Sequence, residues 1–235
     1  MSLEKVVHTH AVESYTESHL ISAQPGLTHA YENSTKHGMP MVAVSPVQGK
    51  FISLLTTMCG ARSVLEIGTL GGYSSIWFAQ ALRGRDGTGG KVTSIEVESG
   101  RRDVAIENLR FAGVKVPDEV DVVLGAGLDV LPKLAAEIEK GERERFDFVF
   151  IDADWDNQWN YFDYGVRLSK GKGSVLYVDN VVRELLASGI VGPQKRDERA
   201  VSLVERVEED GRVEAVVMQT VGAKDYDGFL MAIVK

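Results

Sequence analysis

Thiol and imidazole chemistry are scarce in this chain. Cys59 is the only cysteine in 235 residues. That excludes an internal disulfide framework, a Cys-x-x-Cys redox pair and a thiolate zinc site, and a reducing compartment fits best. All five histidines, His8, His10, His19, His29 and His37, fall in the first 37 residues. A Ser-His-Asp or Cys-His centre, or a histidine-rich metal site on the later sheet, would have to borrow from that stretch. His8 and His10 could ligate an adventitious metal, but solvated histidines on a mobile arm are the plainer reading. Positive charge is also short. A net charge of -8 and a pI near 5.2 leave no nucleic-acid footprint and no polybasic membrane surface. No apolar run approaches the roughly 20 residues that a membrane helix requires. Met1 to Leu20 has neither the apolar core of a secretory signal nor the arginine bias of a transit peptide. The expectation is a cytoplasmic protein with no readable targeting segment, no nucleic-acid or membrane partner, and a small molecule as ligand.

What is present is the composition of one ordinary domain with a sizeable core, 44% hydrophobic and 26% charged. Short β-branched runs alternate with helical stretches from residue 63 onward, the signature of βαβ units and a mostly parallel sheet. Ser63–Ile67, Val92–Val97, Val120–Leu124, Phe146–Ile151 and Ser174–Val178 are near-continuous apolar runs, as strands buried on both faces should be. Ser74–Leu82, Ser99–Phe111, Leu128–Glu139 and Asn157–Leu168 carry helical periodicity or helical end signals. After Asp179 a charged helix is expected near Lys195–Glu209. Val213–Thr220 and Phe229–Val234 then form an antiparallel pair, joined by a turn with Gly222 and Asp227-Gly228. Gly84–Gly90 reads as a plain loop. Residues 1–60 read as helices with a Pro-bounded break around Met39–Pro46, a cap on the α/β core at 61–235 rather than a second domain. The expected fold class is therefore α/β, a single domain over 1–235 with a seven-stranded, mostly parallel sheet.

The segment Glu66-Ile67-Gly68-Thr69-Leu70-Gly71-Gly72-Tyr73-Ser74 is a strand end, a glycine-rich turn and a helix start. Open α/β sheets bind nucleotides at such turns. A dinucleotide fingerprint needs Gly at its first, third and sixth positions, but from Gly68 the third is Leu70 and the sixth Tyr73. A phosphate-binding P-loop needs Gly-Lys-Ser/Thr where Tyr73-Ser74 stands. Glu66 would repel a pyrophosphate and favour an ammonium or a sulfonium at short range. S-adenosylmethionine carries both cations, and Glu96 at the second strand's end can accept hydrogen bonds from both ribose hydroxyls. The plainer alternative is that the glycines merely permit a tight turn.

Asp152-Ala153-Asp154 follows the fourth strand, and Asp179-Asn180 the fifth. Neighbouring strands lie about 4.8 Å apart, so if these two are adjacent, Asp152, Asp179 and Asn180 converge. Hard oxygen donors with room for water suit Mg²⁺, with Mn²⁺ or Ca²⁺ as substitutes, rather than zinc or copper. Taken singly, each aspartate could equally cap the next helix.

These motifs resemble the cation-dependent O-methyltransferases, the caffeoyl-coenzyme A and catechol O-methyltransferase family. The likeness runs from Met41-Val42-Ala43-Val44-Ser45-Pro46 and Gln48-Gly49-Lys50-Phe51 through the Glu66–Ser74 turn and Ser94-Ile95-Glu96. It continues in Gly125-Ala126-Gly127, Phe150–Asp154 and Val178-Asp179-Asn180, and ends in Asp227-Gly228. It implies a Rossmann-like S-adenosylmethionine methyltransferase fold and, commonly, a homodimer acting on vicinal hydroxyls of aromatic rings such as catechols, flavonoids or caffeoyl compounds. Cofactor contacts would come from Val44, Glu66, Gly68, Thr69, Gly72, Tyr73, Ser74, Glu96, Gly127 and Asp152. Metal ligation would come from Asp152, Asp179 and Asn180, and catalysis would centre on Asp152 and Asp154. Asp154 and Glu184 stand where relatives contact substrate.

One departure bears on mechanism. Where the family usually has a general-base Lys, three residues after the first metal-binding Asp, this chain has Trp155, which cannot accept a proton. The enzyme would then be slower, or the substrate a more acidic polyphenol, or proton transfer would pass through Asp154 or water, and Trp155 would be an aromatic wall or, with Trp159, ordinary packing. Competing readings are a metal-independent methyltransferase on another acceptor and a cofactor-binding regulatory protein without catalysis. A nicotinamide oxidoreductase is more distant still.

Overall fold

The computed structural model describes residues 3–83, 89–193, 201–222 and 226–235. Three helices come first, α1 (Leu3–Leu20), α2 (Pro25–Lys36) and α3 (Pro46–Met58). The alternating part runs β1 (Ser63–Ile67), α4 (Tyr73–Leu82), β2 (Lys91–Glu96), α5 (Ser99–Phe111), β3 (Val120–Leu124), α6 (Gly127–Glu139) and β4 (Phe148–Ile151). A 3₁₀ turn at Trp155–Asn157 leads into α7 (Gln158–Leu168), then β5 (Val175–Val178), α8 (Val181–Ala187), α9 (Leu203–Glu208), β6 (Val213–Val221) and β7 (Tyr226–Val234).

Among the described residues the strands form one seven-stranded sheet in the order β3-β2-β1-β4-β5-β7-β6. The first five are parallel, and β7 runs antiparallel to both β5 and β6. This is the expected Rossmann-like class with its closing antiparallel pair. The chain winds outward from β1 to β3 on one side and from β4 onward on the other, so the crevice between β1 and β4 is the switch point where such sheets take ligands.

Strand periodicity divides the core into two halves. Leu65, Ile67, Val149, Ile151, Leu176 and Val178 face one side, against Leu131 and Leu134 of α6 and Phe162 and Val166 of α7. Val64, Phe148, Phe150 and Tyr177 face the other, against Ile76, Trp77 and Phe78 of α4, Leu27 of α2 and Ile52 of α3. Helices α2 and α3 therefore share a core with the sheet. Ser45, with its hydroxyl accepting from Gln48 N–H at 3.2 Å, caps α3 ahead of Pro46. Gly49 lets α3 press directly on the Trp77 indole, where any Cβ would overlap the ring.

Beyond one-residue shifts at several element ends, the structure differs from expectation in four places. Phe146 makes only an isolated bridge to Ser169, so β4 begins at Phe148. The charged helix starts at Leu203, where Ser202 and Glu205 form a reciprocal capping box; the part of its expected range at 195–200 lies outside the described residues. Strand β7 begins at Tyr226 because its pairing with β6 extends to the Val221–Tyr226 pair. Helix α8 was not expected. Of the expected Gly84–Gly90 loop, 84–88 lie outside the described residues, as do 223–225 of the final turn. The histidine-bearing arm is helical, α1, and its His8 and His10 are exposed.

Candidate active site

A cleft of about 1540 Å³ opens over the carboxyl ends of β1, β2, β4 and β5. Val44, Gly68, Thr69, Tyr73, Ser74, Glu96, Gly127, Asp152, Asp154, Asp179 and Asn180 all line it. Of the site residues expected from sequence, Glu66 and Gly72 lie behind this lining. One wall is built by α1, through His8, Val12 and Thr16, by the Met218–Val221 end of β6 and by Gly222 after it.

The glycine turn is held from below. Gly68, at φ +101°, has no space for a side chain because the Asp152 carbonyl lies against it. Its N–H donates to the Ile95 carbonyl at 3.1 Å. Leu70 takes the left-handed region at φ 50° and donates its N–H to Glu96 Oε2 at 2.8 Å. Glu96 Oε1 accepts the Glu98 N–H at 3.0 Å. A carboxylate offers about four acceptor sites, so capacity for further donors remains on Glu96 at the cleft wall. Asn108 Nδ2 donates to the Gly71 carbonyl at 2.9 Å, and Asn33 Nδ2 to Asn108 Oδ1 at 2.9 Å, a buried amide relay that ties the turn to α5 and α2. Gly72, at φ 76°, begins α4 without a side-chain cap.

Glu66 is fully buried and points at hydroxyls. Ser74 donates to Oε1 at 2.5 Å, while Ser75 and Ser94 both donate to Oε2, Ser94 at 2.5 Å. Burial pushes its carboxyl up, opposed by these three donors. Its connection to the cleft is therefore through Ser74 on one side and through Ser94 and Thr69, whose hydroxyls are 2.5 Å apart, on the other.

Ile151 and Val178 are partners in the β4–β5 register, so the two strands release Asp152 and Asp179 side by side; Asp179 N–H donates to the Ile151 carbonyl at 2.8 Å. Burial raises the Asp179 carboxyl well above the ordinary range, and the charges of Asp152 and Asp227 raise it further. Gln48 Nε2 donates to Asp179 Oδ1 at 2.8 Å and lies 3.3 Å from the Tyr177 hydroxyl. Burial and the Asp179 charge hold that phenol well above its ordinary value. Among the described residues no group of three or more His, Cys, Asp or Glu side chains is arranged to hold a metal ion. The expected set differs in kind, with two carboxylates and the Asn180 amide. Two aspartates and an amide on one cleft wall offer the hard oxygen donors that Mg²⁺ or Ca²⁺ prefers.

Asp154 is anchored on both oxygens, by the Tyr161 hydroxyl at 2.5 Å and by Asn157 Nδ2 at 2.6 Å. Burial and the Asp154 contact push the Tyr161 phenol up. Trp155 is 37% exposed and lines the cleft beside Asp154. Glu184 is half-buried on α8 and outside the lining, with its carboxyl raised by burial. Sequence reasoning assigned no role to Gln48, Tyr161 or Asp227. Gln48 and Asp227 lie inside motifs already singled out, but their partners are 131 and 47 residues away.

Residues 17–232 match the profile of a family described as O-methyltransferase. The chain is 42% identical over 235 residues to an O-methyltransferase of Aspergillus flavus, covering 96% of this chain and 91% of that one. It is 38% identical to a catechol O-methyltransferase of Mycobacterium tuberculosis, each covered in full. A crystal structure of an O-methyltransferase from Bacillus cereus in complex with SAH superposes with a TM-score of 0.85 at 39% identity, covering 98% of this chain and 100% of that one.

Proposed function

The chain belongs to the O-methyltransferase family, and from that premise we propose that it methylates one hydroxyl of a vicinal dihydroxy aromatic small molecule with the help of a divalent cation. Mg²⁺ is the first choice, with Mn²⁺ or Ca²⁺ able to replace it. The observation that carries the reading is the convergence of Asp152, Asp179 and Asn180 on the cleft that also holds the glycine turn. The catechol activity named for the Mycobacterium tuberculosis relative supports the substrate class. In this reading residues 1–235 act as one cytoplasmic domain, with 1–60 capping the cleft. The exposed stripe Phe51, Leu54 and Met58 along α3 supports a homodimer, which light scattering would test.

S-adenosylmethionine, when bound, supplies a methyl group on a sulfonium for in-line displacement by an oxygen nucleophile. A divalent cation, when bound, supplies Lewis-acid assistance that lowers the pKa of a hydroxyl near ~10. Asp152, Asp179 and Asn180 would hold it. The protein's own share is mostly placement, which can contribute about 7–11 kcal/mol when reacting atoms are kept near attack distance. Glu96, with acceptor capacity beyond the Leu70 and Glu98 N–H groups, would accept the ribose hydroxyls. Glu66 fixes the Ser74 hydroxyl and the Ser94–Thr69 pair, which would be the groups offered to the cofactor's cationic end. Val44, Tyr73 and Gly127 close the apolar walls. Asp154, locked by Tyr161 and Asn157, is the side chain at its turn able to receive the acceptor's proton, since Trp155 cannot.

The test is transfer of a tritiated methyl group to a panel of catechols and flavonoids, with chelated protein and with Mg²⁺ restored. Turnover is expected only with the cation. Undiminished turnover in excess chelator, or in Asp152→Ala, would refute the cation role.

A further inference from the structure

Asn180 occupies the N-cap position of α8 at φ 60° and ψ 17°, and its side chain caps nothing. An asparagine there ordinarily turns its oxygen back onto an N–H in the first turn. Here Arg183, three residues on, donates its N–H to Asp227 Oδ1 at 3.1 Å instead. The same oxygen accepts the Gly228 N–H at 2.8 Å. Asp227 Oδ2 accepts Asn180 Nδ2 at 2.9 Å and lies 3.3 Å from the Arg183 guanidinium. The cap of α8 is thus delivered from β7, across the sheet.

This exchange of partners has a chemical outcome. A carboxylate only accepts hydrogen bonds, so the group that Asn180 turns toward Asp227 must be its NH₂. Nitrogen and oxygen occupy opposite arms of one planar amide, so Oδ1 is turned away from Asp227. Asn180 lines the cleft together with Asp152 and Asp179. Relieved of capping, its oxygen is left for a ligand there.

We propose that Asp227 is a positioning residue, which caps α8 in place of Asn180 and fixes the Asn180 amide through Nδ2 so that Oδ1 is presented to a divalent cation. The inference rests on the reading that Asp152, Asp179 and Asn180 hold such a cation. Outer partners of metal ligands commonly tune affinity by about 10–100-fold.

The experiment titrates Mn²⁺ into chelator-stripped protein, following the free-ion paramagnetic resonance signal. Calorimetry with S-adenosylmethionine and a thermal melt report on cofactor binding and folding. Asp227→Ala is expected to weaken Mn²⁺ binding about 10-fold or more while leaving S-adenosylmethionine affinity unchanged. Asn180→Asp should raise Mn²⁺ affinity by a larger factor in Asp227→Ala than in the unsubstituted protein, because a carboxylate presents an oxygen whichever way it turns. A purely structural role for Asp227 gives no such coupling. If Asp227→Ala does not fold, Asp227→Asn keeps the side-chain shape. Its single oxygen can serve Arg183 while its NH₂ group faces Asn180 and turns that amide, with the same loss expected. Unchanged Mn²⁺ affinity in a folded Asp227 variant, with the unsubstituted protein binding normally, overturns the proposal alone. If the unsubstituted protein binds no Mn²⁺, the cation reading falls and takes this inference with it.

Discussion

An indole has no basic lone pair, so Trp155 can stack in the cleft wall but cannot take a proton. In the proposed reaction the base is then Asp154 or water, and a positioned amine is missing. Trp155→Lys is expected to raise turnover, by up to about 100-fold, and to add a basic limb to the pH–rate profile. Turnover that stays flat while acceptor affinity falls would identify Trp155 as an aromatic platform instead. Gln48 presents a different single-residue case. Replacing it with Leu removes the 2.8 Å donor from a buried oxygen of Asp179. The expected cost is about 1–3 kcal/mol of stability, readable as a lower melting temperature in chelated protein; an unchanged melt would show that Asp179 is satisfied elsewhere. At this scale the sequence was informative wherever chemistry sits at a strand end. Asp152, Asp179 and Glu96 are legible because a carboxylate after an apolar run is conspicuous. The Glu66 contacts were read less well. Its charge suggested a direct grip on a cation, but Ser75 and Ser94, nine and 28 residues away, turn the carboxylate inward.

Helices and strands follow local pattern where their ends are local. The limits of β1, β3 and α5 match expectation to the residue, because glycine, proline or charged residues bound each apolar or periodic run. Helix α8 escaped because its seven residues are too few for periodicity and its cap comes from Asp227. No scan of neighbouring residues shows a partner 44 positions downstream. The crossing of α3 over α4 was equally hidden, since Gly49 has no visible reason to be glycine until Trp77, 1% exposed, is found beneath it. Gly49→Ala should therefore push the two helices apart and cost about 1–3 kcal/mol. Urea unfolding reports the stability change. Val44, just ahead of the displaced helix, should shift with it and weaken cofactor binding. Full stability in Gly49→Ala would mean that the crossing has slack.

Over the whole molecule, the buried carboxyls of Glu66 and Asp179 set a pH dependence that opposes the usual one. Both are raised from their ordinary values of 4.5 and 3.8. Between the unfolded and folded values the native state binds more protons than the unfolded chain, so their contribution to stability falls as pH rises through that window. A bound cation would compensate the Asp179 part. Mg²⁺ should thus raise the melting temperature more at neutral pH than near pH 5, approaching about 2.7 kcal/mol at a hundredfold excess over Kd. An equal increment at both pH values would argue that the cation does not meet Asp179.

The strand order also has a consequence for how the chain is made. Strand β7 follows β6 in the chain yet lies between β5 and β6. On the ribosome β6 emerges before β7, the one strand it pairs with among the described residues. The five parallel strands can assemble beforehand, with the glycine turn in place. Asp227 arrives with β7, so the clamp on Asn180 closes only after that strand is made. A nascent chain can therefore present a nucleotide crevice before it can present a complete oxygen-donor set, and competence for chemistry trails competence for folding.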